Sequence, residues 1–371
     1  MKKSILGLLL LLLTAWGISS CQKESGADPT TADTGALDRK ALLTQWADSL
    51  VKPGYQRFDG RMTTLKVKAT AFAAAPTVAA LQELRQAWAL AYTDWQRVEL
   101  FEFGPAEVVT LRNHFNIYPT DVTGIRQNIN TGTYNFELAT AIPQQGFPAL
   151  DYLINGVAAN DAAIVQSYVA SAGQRKYLTD VTDKMSQLTT TVYGQWTGPY
   201  RDAFVNSTGT NAGSSLSKVV NAYSLYYERF LRAGKVGIPA GTMSGMAAPE
   251  KIEAYYYKGT LPLDMAKIAH STVQYAFNGR AGGPSLKAYL NALGAKDSRT
   301  GQPLSQILND QFAVSYAQLS TLGPDLFATM QTRRTDAVTS YNEMQKAVRL
   351  VKVDMTSAMS ISVTYVDNDG D

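Results

Sequence analysis

The sequence predicts an all-α fold, because helical periodicity continues through nearly all of the chain beyond residue 36. Apolar side chains recur at intervals of three and four residues, as they do on one face of a helix, and glycine and proline separate the segments. Only residues 361–365 alternate as a strand does, and a lone strand has no partner with which to form a sheet. We therefore interpret that segment as an extended tail.

The chain begins with a predicted secretory signal peptide at residues 1–20. Lys2 and Lys3 precede an apolar run that is too short to span a membrane comfortably, and small residues follow it. Cys21 then stands where a lipobox has its acylated cysteine, which predicts a lipid anchor. The alternative is an ordinary signal peptide followed by a cysteine by chance. Cys21 is the only cysteine, so this chain has no internal disulfide and no cysteine-based metal site or nucleophile.

Residues 21–35 form a predicted flexible tether, because they are polar and without periodicity. Gln22, Lys23 and Glu24 resemble the export tag that sends some bacterial lipoproteins to the outer face of the outer membrane. We therefore expect a lipoprotein of the cell envelope, anchored to the outer membrane and either periplasmic or surface-exposed. The formal net charge is only +3 and no basic run occurs, so no nucleic-acid partner is expected.

The first predicted helices follow directly. One covers residues 36–51 and is stopped by Pro53 and Gly54, and a second covers residues 63–75 and ends before Pro76. Thr77 is a favourable N-cap for a third helix.

This third predicted helix, residues 78–103, carries an aromatic stripe that continues into two acids. Trp88, Tyr92, Trp95, Glu99 and Glu102 are spaced by four and three residues, so they would share one face. The aromatic residues are expected in the core. A buried carboxylate is costly unless it is paired or bound to a metal, which makes the two glutamates candidate binding residues. The alternative is that the helix emerges into solvent before Gly104.

Residues 111–121 are predicted to form a loop that carries several polar side chains. Arg112, His114 and Tyr118 lie in it, and loops of this kind often hold binding residues. For His114 the alternative is an ordinary surface or hydrogen-bonded histidine.

A short helix is predicted from Pro148 to Gly156. Proline suits a first helical position, where its missing N–H costs nothing, and glycine suits the end. Asp151 would then lie near the first turn. It is a candidate ligand, although the helix dipole alone favours an acid there by about 0.3–1 kcal/mol.

The second half of the chain begins after a polar linker at residues 206–213. The helix that follows has an apolar face from Leu216 to Phe230, while Glu228 and Arg232 occupy another face. His270 lies on an apolar stripe, where a core histidine is more common than a ligand. Long helices are predicted over residues 304–321 and 324–359.

The segment Gly146-Phe147-Pro148-Ala149-Leu150-Asp151 resembles the signature of the imelysin family, Gly-x-His-x-x-Glu. The glycine matches as Gly146, whereas Pro148 stands at the histidine position and Asp151 at the glutamate position. Phe103-Gly104-Pro105 and the Tyr118-Pro119 element also resemble the family pattern. In that family the histidine and glutamate are the suspected metal ligands.

This resemblance implies two domains, each similar to a four-helix bundle, at residues 36–210 and 211–371, with a site between them. The helix that carries Glu228 and Arg232 would approach the motif from the other half. The candidate binding residues are Glu99, Glu102, Arg112, His114, Tyr118, Gly146, Pro148, Asp151, Glu228 and Arg232. Asp151 and Glu99 are the candidate metal ligands, and the expected cofactor is a divalent metal or iron bound through oxygen.

The resemblance leaves three classes of function open. The first is a non-catalytic binding component of an iron- or metal-uptake system, whose other components would be its partners. The second is a metallopeptidase, for which the two distant histidines give little support, since zinc peptidases usually need histidine ligands and an open position for water. The third is an interaction scaffold that has lost metal binding.

Overall fold

The all-α prediction is confirmed by the computed structural model, which describes residues 38–280 and 282–365. Within these ranges the regular elements are helices, and the only extended pairing is an isolated bridge between Lys296 and Pro303. No helix of the described ranges is long and apolar enough to cross a membrane. The predicted signal peptide, Cys21, the tether and the last six residues lie outside the described residues.

In the described part of the chain, ten α-helices begin before the predicted linker: Arg39–Gln45, Lys52–Ala74, Val78–Trp95, Pro105–Val108, Leu111–Phe115, Val122–Thr131, Gly146–Asp151, Asp161–Ala170, Ala172–Thr197 and Tyr200–Asn206. Those described after it are Ser215–Leu225, Leu261–Asn278, Leu286–Ala292, Leu304–Ser320, Leu326–Thr332, Arg334–Arg349 and Thr356–Ala358. Short 3₁₀ turns occur at Glu99–Phe101, Ala139–Gln144 and Pro249–Lys251. Within residues 38–280 and 282–365, four π-helical segments extend α-helices, at Trp46–Val51, Tyr152–Gly156, Tyr226–Gly237 and Leu350–Met355.

The first half is organised around the helix Lys52–Ala74, which packs against Ala172–Thr197 and Val78–Trp95. Its buried side chains alternate at intervals of three and four residues, and they are Tyr55, Phe58, Met62, Leu65, Ala69 and Phe72. Each large apolar side chain that is fully buried contributes roughly 1.5–3 kcal/mol, so this stripe holds the bundle together.

The second half has its own set of packed helices. Leu304–Ser320 packs against Arg334–Arg349, and the latter also packs against the π-helical segment Tyr226–Gly237. The described residues belong to one compact unit, and the predicted boundary near residue 210 stays a prediction.

Several predicted helix boundaries are wrong, and the predicted loop at residues 111–121 begins with the helix Leu111–Phe115. Pro53 and Gly54 do not stop the first helix, since the chain stays helical from Arg39 to Ala74 through a π-helical turn. Pro53 stands at the start of the α-helix that follows that turn, a position where its missing N–H is tolerated.

The third helix ends at Trp95, eight residues before the predicted end. The helix ends in a turn with hydrogen bonds between residues three apart. Arg97 N–H donates to the Asp94 carbonyl (3.0 Å), and Val98 N–H donates to the Trp95 carbonyl (2.9 Å). Glu99 lies in the 3₁₀ turn beyond, so neither it nor Glu102 continues the aromatic face as predicted.

Candidate functional site

The segment that carries the sequence motif is fixed in place by its glycine. Gly146 has a φ of 79°, and a Cβ added there would lie 2.4 Å from the carbonyl oxygen of Phe115. Only glycine fits such a conformation and such a close backbone approach. The helix therefore begins at Gly146, and Pro148 is its third residue rather than its first. Pro148 still lies in the first turn, where its missing N–H costs no helical hydrogen bond.

Asp151 is buried and binds backbone of the second half of the chain. Its Oδ2 accepts a hydrogen bond from the N–H of Tyr256 (2.8 Å), and its Oδ1 accepts from the N–H of Tyr257 (2.9 Å) and from Asn155 Nδ2 (2.9 Å). The residue is the last of Gly146–Asp151, so it is not in the first turn as predicted. Burial raises the pKa of Asp151 from 3.8 to about 7, although these hydrogen bonds act in the opposite direction.

A small cavity of about 230 Å³ lies beside this carboxylate. Asp151 and Pro148 line it together with Tyr118 and Tyr256. We call it the Asp151 cavity.

Glu99 belongs to a buried group of four polar side chains that we call the carboxylate–lysine cluster: Glu99, Asn116, Lys235 and Glu253. The Lys235 ammonium lies 2.6 Å from Glu253 Oε1 and 3.3 Å from Glu99 Oε2. The Asn116 amide donates to Glu253 Oε1 (2.7 Å) and to Glu99 Oε1 (3.1 Å). All four side chains are nearly inaccessible to solvent, and the cluster joins the two predicted halves.

The cluster holds its lysine in the charged form. Burial by itself lowers the pKa of Lys235, but attraction to Glu253 and Glu99 outweighs it, and the pKa is raised above its ordinary 10.5. Burial raises the pKa of Glu253, and the nearby Lys235 works against that rise.

A larger cavity of about 730 Å³ borders the cluster. We call it the Glu228 cavity, and its wall includes four of the predicted site residues: Glu99, Tyr118, Glu228 and Arg232. Tyr118 also lines the Asp151 cavity, whereas Glu99 and Asp151, the two candidate metal ligands, line different cavities.

The charged residues on the wall of this cavity are held by neighbours. Glu228 Oε1 accepts from Lys352 Nζ (3.0 Å), and its Oε2 accepts from the Tyr365 hydroxyl (3.3 Å). The buried Arg232 guanidinium stacks over the Tyr341 ring at 4.3 Å.

Arg112 and Glu102 lie behind this wall. The Arg112 guanidinium stacks over the Phe230 ring at 3.7 Å and donates to the Glu99 carbonyl (2.8 Å). Glu102 Oε1 accepts from the Arg112 backbone N–H (3.1 Å). Burial raises the pKa of Glu102 to about 7.

The two histidines lie apart from both cavities. His114 is buried, and its Nδ1 lies 2.9 Å from Gln145 Oε1, so it is a hydrogen-bonded histidine. His270 is fully buried against the rings of Tyr227 and Phe312, and burial lowers its pKa to about 4. It is therefore a neutral core histidine, as the stripe predicts.

The comparisons with known proteins decide the family. The sequence matches the family described as Imelysin over residues 51–352. The chain belongs to the imelysin family.

Two solved structures resemble most of this chain. An imelysin-like protein from Psychrobacter arcticum 273-4 has a TM-score of 0.68 at 19% identity, covering 88% of this chain and 97% of that one. A putative iron-regulated protein A precursor from Parabacteroides distasonis ATCC 8503 has a TM-score of 0.66 at 18% identity, covering 90% and 97%. At these identities the likeness concerns the fold.

A curated relative is similar over a shorter stretch. Iron-regulated protein A from Synechococcus elongatus is 29% identical over 121 residues, which span 33% of this chain and 33% of that protein.

Asp151 and Glu99 do not present free oxygen ligands at one shared position, as a metal ion bound to both residues would require. The carboxylate oxygens of both residues already accept hydrogen bonds or ion pairs, and the two residues line different cavities. Across residues 38–280 and 282–365, no group of three or more histidine, cysteine, aspartate or glutamate side chains is placed to hold a metal.

Sequence reasoning missed Lys235, Glu253 and Asn116. Lys235 lies seven residues after Glu228, a helical spacing that could have marked it. Glu253 precedes a run of aromatic residues without periodicity, and Asn116 lies between the candidates His114 and Tyr118. No sequence pattern therefore marked either residue as part of a site.

Proposed function

We propose that this chain is an envelope-anchored, non-catalytic binding protein that works in iron or metal uptake, with the Glu228 cavity as its binding site. The observation that carries the proposal is the cavity itself. Its volume of about 730 Å³ falls in the range of small-molecule sites, roughly 300–1,000 Å³, and both predicted halves contribute to its wall.

The names of similar proteins support a role in iron uptake. One curated relative and one structural neighbour bear the name iron-regulated protein A. Lipid anchoring at Cys21 would keep the protein at the outer membrane, where uptake components could reach it.

A peptidase is the competing function within the family. The residues argue against it here, because Pro148 stands at the histidine position and its side-chain ring offers neither a hydrogen-bond donor nor a lone pair. The oxygens of Asp151 are engaged with backbone N–H groups and Asn155 rather than free to activate water.

The test uses the purified full-length protein. It should bind iron supplied as a chelate, ferric citrate, in equilibrium dialysis with elemental analysis, and anaerobic ferrous sulfate is the comparison without a chelator. Casein should stay intact with and without added zinc. Casein cleavage that a chelator abolishes would overturn the proposal and indicate a metallopeptidase. Failure to bind any form of iron would also overturn it and indicate an interaction scaffold.

The proposed anchor is tested separately in cells. Labelled fatty acid should be incorporated into the wild-type chain and not into Cys21→Ala, and the labelled protein should fractionate with the outer membrane. Equal labelling of the variant would overturn the lipid anchor without touching the cavity.

A further inference from the structure

Three arginines of the first half of the chain share a single carboxylate. Asp94 is buried, and its Oδ1 lies 3.3 Å from Arg57 Nε and 3.1 Å from Arg97 Nε. Its Oδ2 accepts a hydrogen bond from Arg61 Nε (3.0 Å). Among the described residues, no other carboxylate forms an ion pair with these arginines. Three permanent positive charges therefore meet one negative charge, and two of them remain unbalanced.

Asp94 engages these guanidinium groups through their Nε atoms. Each guanidinium also carries two terminal nitrogens, and in the described part of the chain no group accepts a hydrogen bond from them. The side chains of Arg57 and Arg97 are 50% and 39% exposed. The carboxylate therefore fixes the base of each guanidinium and leaves its outer donors for water or a ligand.

Arg57 and Arg97 line a groove of about 370 Å³, which we call the arginine groove. The helix Leu261–Asn278 contributes Ser271 and Tyr275 to the opposite part of its lining. The volume falls in the range of small-molecule sites, roughly 300–1,000 Å³. No described residue lines both this groove and the Glu228 cavity, so the groove is a second candidate site.

Beside the arginines, the groove offers one further hydroxyl donor and two aromatic rings. The Ser271 hydroxyl is exposed, and no described group accepts a hydrogen bond from it. The hydroxyls of Ser49 and Thr272 donate within their own helices and are already used. Phe101 is buried and Tyr275 is 51% exposed, so the groove presents aromatic surface against which an organic group can pack.

A phosphate group matches this set of donors. Planar guanidinium groups donate paired hydrogen bonds to phosphate oxygens, and a phosphate monoester carries a charge of about −1.5 to −2 at neutral pH, close to the two unbalanced positive charges. A carboxylate would balance only one of them. Asp48, next to the groove residue Ser49, does not fill this role, because it is paired with Lys52 and Arg201.

From this geometry we infer that the arginine groove binds a small, water-soluble phosphate monoester. Arg57 and Arg97 hold the phosphate group, Ser271 donates to it, and the organic part of the ligand packs against Tyr275 and Phe101. This site goes beyond the proposed iron-binding function and does not depend on it.

Binding to the full-length protein is measured by isothermal titration with phenyl phosphate, inorganic phosphate and benzoate. We expect phenyl phosphate to bind at one per chain, about tenfold more tightly than benzoate, which has the ring but only one negative charge. Inorganic phosphate lacks the ring and should bind about threefold more weakly than phenyl phosphate.

A lipid headgroup could supply the same chemistry, so a second arm uses vesicles of phosphatidylcholine with and without phosphatidic acid. Co-sedimentation is measured with Cys21→Ala, so that the predicted anchor does not contribute. We expect phosphatidic acid to add no binding that excess phenyl phosphate fails to displace.

Two matched variants locate the site. Arg57→Gln leaves Asp94 with two of its three arginines, so it should fold normally and weaken binding of phenyl phosphate about fivefold or more. Arg61→Gln removes the same charge from the same carboxylate, but Arg61 is outside the described lining of the groove. It should change affinity less than about twofold. Thermal unfolding followed by circular dichroism checks that both variants are folded.

Four outcomes would overturn the inference. They are no binding of phenyl phosphate, equal affinity for benzoate and phenyl phosphate, equal affinity of Arg57→Gln and wild type, and binding to phosphatidic acid vesicles alone. The last would indicate a membrane contact instead of a small-molecule site. None of them bears on iron binding at the Glu228 cavity, which Arg57→Gln should leave unchanged.

Discussion

A single ammonium group holds two buried carboxylates together in this protein. Lys235 lies within 3.3 Å of both Glu99 and Glu253, and all three side chains are almost fully buried. Each charge loses its hydration on folding, and the loss is offset only while the partners remain in place. The effect of removing the lysine alone is therefore large, because two carboxylates would be left without their main cation.

We expect Lys235→Met to lower the free energy of unfolding by about 3–5 kcal/mol, the usual effect of breaking a buried ion pair. Urea denaturation measures it. The control is Lys68→Met, which removes an ion pair with Glu83 whose side chains are 38% and 59% exposed. That variant should cost less than about 1 kcal/mol, and equal costs for the two would contradict a charged buried lysine.

Asp151 gives a dependence of stability on pH. In the folded state its pKa is about 7, above the ordinary value of 3.8 that it has in the unfolded chain. Its contribution to the free energy of unfolding is therefore complete below pH 3.8 and is lost as the pH rises towards 7. Between pH 5 and pH 8 the free energy of unfolding of the wild type should therefore fall by roughly 2–3 kcal/mol more than that of Asp151→Asn, at 1.36 kcal/mol per pKa unit.

Chemical denaturation at several pH values measures this difference, with Asp310→Asn at an exposed aspartate as the control. Comparing variants matters, because Glu102 also has a raised pKa and contributes a slope of the same sign in every protein. Parallel loss of stability in native protein and Asp151→Asn would show that the carboxylate titrates normally.

At the scale of elements, the sequence predicts the helices well and their ends less well. Thr77 caps its helix as expected, its side chain accepting from the N–H of Ala80 at 3.1 Å. Proline at position 53 signals a stop, but the preceding π-helical turn, which no sequence pattern announces, carries the helix through. The early end of the third helix comes from the turn after Trp95, and that turn brings Glu99 to Lys235.

The candidate site could be predicted only in part, for a related reason. Glu99, Tyr118, Glu228 and Arg232 line one cavity, although they come from distant segments of the sequence. What the sequence could not show is which partners neutralise the acids, because Lys235 and Glu253 meet Glu99 only through tertiary packing.

The motif glycine allows a sharp test of an element. Gly146→Ala combines a left-handed φ with a Cβ that would lie 2.4 Å from a backbone oxygen, so it must displace Phe115 or the helix start. Gly132→Ala is the matched control, with a φ of 67° and no atom within 4 Å of the added Cβ. The control should cost about 1–2 kcal/mol, the strain of the left-handed conformation alone.

We expect Gly146→Ala to cost clearly more than this control in urea denaturation, because backbone cannot yield as a flexible side chain does. Equal losses for the two variants would mean that the close approach to Phe115 is not a constraint on the motif.

At the scale of the whole molecule, buried polar contacts cross the predicted boundary near residue 210. Glu99 and Asn116 bind Lys235 and Glu253, and Asp151 binds the backbone of Tyr256 and Tyr257. Separating the halves would leave these groups desolvated and unpaired, or would need water to reach them, at a cost of about 1–3 kcal/mol for each unsatisfied group. We therefore expect the halves to unfold together.

Tryptophan placement makes this expectation testable, since residues 211–371 contain no tryptophan and the fluorescence of Trp46, Trp88, Trp95 and Trp196 reports the first half. Leu308→Ala removes a fully buried side chain in the second half and should cost about 2–5 kcal/mol. If the halves are coupled, the fluorescence midpoint in urea falls together with the circular dichroism midpoint, as two-state unfolding requires. A fluorescence midpoint that stays at the wild-type value while circular dichroism shifts would show independent domains, and the contacts of Asp151 and Lys235 would then be too weak to join them.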